Sequence, residues 1–281
     1  MAERPSPFQR LALRQLRRAA GRPGAEPLQP QDWEALWAMT HSAGSRGLHR
    51  VYSLLPGPPR CRMCAAPFGG VGRFLARRFG SRPSRKNPQI CSTCVELSPP
   101  GGTTMRTGVL FADLRGFTSS SEGRDLRELS QELRRFYGCA EKTFLPEAII
   151  DKLIGDEVMA IYLEPLLRGG VGIPSVMVRH ARALLAAVGY GTREGPFVEV
   201  GVGIDFGDAF VGNIGERDVF DFTAVGDVVN TASRLQGQAA GGEIIVADRA
   251  ADGVDLSDAE RVEVTLRGKD RPVVAHRIAV A

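Results

Sequence analysis

Two aspartates raise the first chemical question in this 281-residue chain. Asp113 ends the apolar run of "VLFADLRGFTSS", and Asp156 lies in "IIDKLIGDEVMAIY", two apolar strands joined by a turn expected at Ile154–Gly155. A carboxylate at the end of a buried strand is costly unless it is paired or metal-bound. If the two strands are sheet neighbours the carboxylates converge, and two carboxylates beside a phosphate suit two-metal phosphoryl chemistry. After Asp113 the chain turns through Gly116 into a helix opening at Phe117 and Thr118. Backbone N–H groups at such a helix start suit a phosphate. Taken singly, Asp113 also reads as a helix cap and Asp156 as an ordinary turn residue. Lys152 stands four residues before Asp156 in the same hairpin.

A further pair lies in "FTAVGDVVNTASRL", where Asn230 and Arg234 are four apart on a helix and so share a face. Arginine brings a permanently charged fork suited to phosphate, and asparagine brings a donor and an acceptor. Without further context the pair also reads as an exposed polar stripe. Four of the five cysteines form two C-x-x-C pairs, Cys61/Cys64 and Cys91/Cys94, with 26 residues between them. That spacing fits a four-thiolate structural zinc site, with iron or redox thiols as alternatives. A segment poor in large apolar side chains gains folding energy from such a metal. Cys139 falls on a predicted helix and reads as a buried core residue.

The elements that must position these groups follow from periodicity. "TGVLFADL" (107–114) is an apolar strand, and the helix after it shows Leu126, Leu129, Leu133, Phe136 and Ala140 on one face. The hairpin follows, then a second amphipathic helix over 175–190 and "FVEVGVGIDFGDAFVGNIG" (197–215), read as a strand pair. A third helix covers 226–239, and "GEIIVA" and "RVEVTLRGKDRPVVAHRI" supply closing strands. The leading βαββαβ order predicts an α+β, ferredoxin-like core. Ahead of it stand an N-terminal helical region (1–58), with Trp33 and Trp37 four apart, and a zinc-ribbon-like cysteine region (59–100). "ELSPPGGTTM" marks the boundary to a domain spanning 105–281.

Charge supports this division: residues 1–100 hold 16 Lys/Arg against 5 Asp/Glu, and the remainder 20 against 27. The basic part suits nucleic acid, anionic lipid, the acidic half of a partner protomer or plain solvation. Few aromatic side chains are placed there to stack bases, so no nucleic-acid partner is assigned, while peripheral membrane contact through the basic N-terminus stays open. No apolar run approaches the roughly 18 residues of a membrane span, and no signal peptide is read at the N-terminus. A cytoplasmic protein is expected.

"VLFADLRGFTSSSE", "DKLIGDEVMAIY", "VGVGIDFGDAFVGNIG" and "FTAVGDVVNTASRL" together resemble, in order and spacing, the catalytic domain of class III nucleotidyl cyclases over about residues 105–280. "PRCRMCAAPFGGVG…SRKNPQICSTC" resembles a cysteine-rich segment that precedes some bacterial cyclase domains. The resemblance implies that Asp113 and Asp156, helped by the Leu114 carbonyl, bind two Mg²⁺ or Mn²⁺ ions. It also implies that Lys152 and Thr223 read the base, Asn230 orients the ribose, Arg234 stabilises charge on the α-phosphate, and Lys269 contacts the terminal phosphates. Relatives form head-to-tail dimers with each site split between chains. Lys152 and Asp156 would then serve opposite sites of a homodimer. Lys152 can donate to adenine N1 and the Thr223 hydroxyl can accept from N6, whereas guanine presents a donor at N1. The expected activity is therefore ATP to cyclic AMP and pyrophosphate. Guanylate cyclase is an alternative. So is a non-catalytic nucleotide-sensing module with a nucleic-acid-binding zinc region.

Overall fold

Small, β-branched and aromatic side chains over fourteen residues, Gly101–Leu114, form the first strand (β1) of the computed structural model. It describes residues 52, 54–61, 64–78, 80–92, 101–117, 124–145, 147–167, 170–216 and 219–280. Most of the helical region expected over 1–58, including Trp33 and Trp37, lies outside the described residues, as do Cys94 and Thr118. The chain divides into two compact units, residues 1–104 with 210–224, and residues 105–209 with 225–281.

In the larger unit β1 leads to α2 (Leu126–Phe144), β2 (Ile149–Ile154), β3 (Glu157–Leu163) and α3 (Ile173–Val188); α1 (Gly72–Arg78) belongs to the other unit. In chain order there follow β4 (Val200–Glu216), whose distal part lies with β5 (Val219–Val225) in the smaller unit, and then α4 (Asp227–Gln238), β6 (Glu243–Ala247), β7 (Glu260–Val264) and β8 (Val273–Ala279) of the larger one. The sheet order is β2-β3-β1-β4-β6-β8-β7, with β5 beside β4. Its first four strands have the expected ferredoxin-like arrangement. Strand alternation sorts side chains onto two faces. On β6, Ile244 and Val246 join the main core with Leu110, Phe136 and Leu184, while Ile245 and Ala247 join a second cluster with Leu235 of α4.

α2 starts where the Asp125 carboxylate accepts from the Arg127 N–H at 2.6 Å, so Asp125 is its cap. Leu129, Phe136, Ala140 and Phe144 are buried along it, but Leu126 is 80% exposed, since it occupies the first turn, beyond the covered stripe. Cys139 is half-buried, not buried, with its thiol near the Ala187 carbonyl. Buried Tyr162 meets His180 Nδ1 at 3.1 Å, and His180 Nε2 lies 3.2 Å from Glu147. Burial pushes the His180 pKa down, so a neutral ring accepts from the tyrosine and donates to the glutamate.

The segment 197–215, expected as a strand pair, is instead one strand from Val200 to Glu216. Its glycines mark close approach rather than a turn. A Cβ on Gly203 would overlap the Gln236 backbone nitrogen and the Ala232 carbonyl oxygen, so α4 lies backbone-to-backbone on β4.

The smaller unit holds α1 (Gly72–Arg78), two isolated bridges (Arg60 with Pro67, Pro83 with Cys91) and the distal part of β4 with β5. The Arg60 guanidinium donates to the carbonyls of Tyr52 (2.6 Å) and Ala65 (3.2 Å), closing a loop around Cys61 and Cys64.

Candidate active site

The ladder between β1 and β3 pairs Asp113 with Glu157, and the Leu114 N–H points at the Asp156 carbonyl at 3.4 Å. The expected convergence of Asp113 and Asp156 at one sheet corner follows from this register. The turn is Gly155–Asp156, one residue later than expected, because Ile154 still pairs with Glu157. Gly155 takes φ +61°, a conformation glycine adopts without strain, and its carbonyl accepts from the Tyr137 hydroxyl. Leu114 itself is buried.

Electrostatics at this corner are unbalanced. Asp113 bonds the Arg115 guanidinium at 2.6 Å. Burial nevertheless raises its pKa, Asp156 adds to the rise, and Arg115 opposes it. Glu157 is pushed up to about 6, first by burial and then by Asp113 and Asp156. Three carboxylates in the field of one guanidinium, beside the Leu114 backbone, suit hard divalent cations, which take oxygen ligands and relieve such repulsion. A cleft of about 290 Å³ adjoins the corner, lined by Leu114, Arg115, Phe117, Arg124, Glu132 and Glu199 among others.

A second group gathers on α4 and the β7–β8 turn. Asn230 is exposed in the first turn, and Arg234, one turn on, is half-buried. A Cβ on Gly268 would lie 3.4 Å from the Arg234 guanidinium, which places that fork against the turn preceding Lys269. The Lys269 ammonium bonds Asp227, and Arg249 bonds both the fully buried Asp205 and Asp227, the latter at 3.2 Å. The Lys269 bond, with Arg249, lowers the Asp227 pKa, whereas burial raises that of Asp205 against the pull of Arg249. Among the described residues no hydrogen bond or ion pair runs from the Asp113–Asp156 corner to Asn230, Arg234 or Lys269.

Lys152 stands on β2, where a bulge separates it from Ile150, and its ammonium lies 3.9 Å from the buried Asp151 carboxylate. Thr223 belongs to the smaller unit and is buried on β5. In that unit Cys61, Cys64 and Cys91 place three sulfurs within 4.8 Å of one another. The Cys64–Cys91 separation is 3.6 Å, and the Cys91 N–H points at the Cys61 sulfur at 3.2 Å. A disulfide would need about 2.05 Å. Tetrahedral zinc at about 2.3 Å from each sulfur requires S···S edges of roughly 3.8 Å, so the cluster can hold a metal.

Sequence reasoning missed Arg115, Asp205, Asp227 and Arg249. Asp205 carried a signal, being an acid flanked by apolar Ile204 and Phe206 within a strand, where burial demands a cation nearby. Arg249, forty-four residues away in sequence, carried none.

Residues 102–277 match the family described as the adenylate and guanylate cyclase catalytic domain. An adenylate cyclase of Anabaena cylindrica is 32% identical over 142 residues, which cover 48% of this chain and 28% of that protein's length. Among solved structures, the adenylyl cyclase CyaB from P. aeruginosa superposes with a TM-score of 0.56 at 27% identity, over 63% of this chain and 96% of that one. The guanylyl cyclase Cya2 gives 0.55 at 25% identity, over 64% and 95%. Among the described residues no helix is long and apolar enough to cross a membrane.

Proposed function

We propose, from the premise that this chain belongs to the adenylate and guanylate cyclase catalytic domain family, that it converts ATP to 3′,5′-cyclic AMP and pyrophosphate. The observation that carries the reading is the corner where the end of β1 meets the Gly155–Asp156 turn and gathers carboxylates short of cations. Asp113, Asp156 and the Leu114 carbonyl would hold two Mg²⁺ or Mn²⁺ ions, which when bound neutralise phosphate charge and acidify the ribose 3′-hydroxyl.

The remaining roles belong to the chain. The ribose 3′-oxygen attacks the α-phosphorus in line, the 3′-O–P bond forms as the bond to the β-phosphate bridging oxygen breaks, and the 3′ proton passes to water or a phosphate oxygen. The Arg234 fork faces the α-phosphate as charge builds there, and Asn230 fixes the ribose. Lys269 grips the terminal phosphates after leaving Asp227, and the backbone at Phe117 and Thr118 donates to phosphate oxygens. Lys152 and Thr223 select adenine by hydrogen bonds that guanine cannot fully return. Each site is split across a head-to-tail homodimer, and the catalytic domain occupies residues 105–281. In residues 59–100 the cysteine cluster, with Cys94 as fourth ligand, holds a structural Zn²⁺.

Incubation with ATP or GTP plus Mg²⁺ or Mn²⁺, with product identification, tests the reading. Cyclic AMP from ATP with pyrophosphate release is expected. Turnover of GTP alone overturns the base assignment, and absence of both cyclic products overturns the enzyme.

A further inference from the structure

The cysteine cluster shares its unit with the strand that carries Thr223, and one lysine joins them. Lys86 Nζ donates to the Phe222 carbonyl at 2.6 Å and lies 2.7 Å from the Asp221 carboxylate. Its side chain is only 15% exposed, so the charge-assisted bond to the Phe222 carbonyl is partly shielded from water, while the Asp221 carboxylate is half-exposed. Asp221 and Phe222 directly precede Thr223 on β5.

Lys86 is itself fixed from the cysteine side. Its backbone N–H donates to the Ser84 hydroxyl at 3.0 Å, and the Ser84 N–H donates to the Ile90 carbonyl at 2.8 Å. Pro83 bridges Cys91, and the Ser92 N–H reaches the Arg82 carbonyl at 2.7 Å. Buried Asn87 closes the loop, receiving the Gln89 N–H on its side chain (2.8 Å) and the Ile90 N–H on its carbonyl (3.0 Å). A metal that ties Cys91 to Cys61 and Cys64 thus holds the segment against which the Lys86 loop is laid.

We infer that the Cys61/Cys64/Cys91 cluster is a zinc site that acts, through Lys86 as a positioning residue, on the β5 segment presenting Thr223, so that metal occupancy sets the protein's affinity for its nucleotide base. The inference rests on the base-reading role given to Thr223 above. It assigns the cysteine module a task in substrate selection beyond its own folding. Lys86 touches no substrate in this scheme; it sets the position of a main chain whose next side chain does.

Full-length protein tests it in three measurements. Metal analysis should find about one zinc per chain, lost in Cys91→Ser, and cobalt substitution should give the absorption of tetrahedral thiolate coordination. Hydrogen exchange over residues 219–225 should quicken on zinc removal and in Lys86→Ala, with Lys86→Arg restoring protection. Lys86→Ala should keep its zinc and raise the KM for ATP about five- to tenfold, the scale of one lost charge-assisted bond, with kcat little changed and a lower ATP-over-GTP preference. Less than about a third of a zinc per chain would overturn the site. Unchanged exchange over 219–225 in both metal-stripped protein and Lys86→Ala would overturn the coupling. Those two readouts need no turnover, so loss of the cyclase reading alone leaves them intact. If Cys91→Ser fails to fold, zinc content of the wild-type protein still decides the site, and exchange in the metal-stripped protein and Lys86→Ala still decides the coupling.

Discussion

At the end of β1, Asp113, Asp156 and Glu157 lie in the field of one guanidinium, that of Arg115, whereas at the start of α4 Asp205 and Asp227 share two cations, Arg249 and Lys269. The same two kinds of side chain thus produce opposite conditions. In the first corner burial and mutual repulsion raise the pKa of Asp113 and push that of Glu157 up to about 6. In the second the charges are matched: burial still raises the Asp205 pKa, but the Asp227 carboxyl is held below its usual range. A deficit of positive charge invites a cation from solution; a balanced cluster must first open if Lys269 is to reach a phosphate.

The sharpest way to break this contrast is to delete a carboxylate at the first corner. Asp113→Ala or Asp156→Ala should lower cyclase kcat/KM by about 10³ or more, on the scale of lost transition-state electrostatics. Mixing inactive Asp113→Ala with inactive Arg234→Ala should recover part of the activity in hybrid dimers. More than a tenth of wild-type activity in either aspartate variant, or no recovery after proven subunit mixing, would count against the shared site.

Stability should show the reverse ranking. Arg249→Ala leaves buried Asp205 without its cation and should cost about 2–3 kcal/mol in urea unfolding, discounted from a fully buried pair because Arg249 is partly exposed. Arg115→Ala should cost about 1 kcal/mol or less, since that corner can take a proton or a cation instead. Equal losses would erase the distinction. Smaller again, Lys269→Ala should raise the KM for ATP about tenfold while shifting stability by less than about 1 kcal/mol, because its partner Asp227 is half-exposed.

The smallest effect is in pH. Glu157 titrates at about 6 in the folded protein against 4.5 for an unperturbed glutamate, so the folded state binds the extra proton between those values. Metal-free stability therefore falls as pH rises from about 4.5 to 6, and the loss persists above. Glu157→Gln should remove this slope and be more stable at pH 7 by about 1 kcal/mol, with the gap narrowing when Mg²⁺ is added. An unchanged slope in calorimetry would show that burial at this corner is not felt as charge.

Much of this arrangement is legible before any coordinates. Asp113 at a strand end and Asp156 after a glycine are visible because strand ends and turns leave local marks, and the ferredoxin-like order follows from alternating periodicities. What escapes depends on distant partners or on packing. Arg249 pairs with Asp205 across two strands and a helix, and nothing at either position announces the other. The glycine-rich stretch of β4 reads as a strand pair because a glycine that admits a helix looks, in sequence, like one that admits a turn. Lys269 is recognisable by its motif, but its bond to Asp227 is a property of the folded arrangement.

The contact between Gly203 and α4 reaches further than packing. Asn230 and Arg234 ride on a helix seated against main chain, so the depth of that seat is fixed by an absent methyl group rather than by any particular neighbouring side chain. Divergent sequences could therefore redecorate the outward face of α4 freely while its inner calibration stayed put. A single carbon added at position 203 would lift the whole helix and detune both residues at once.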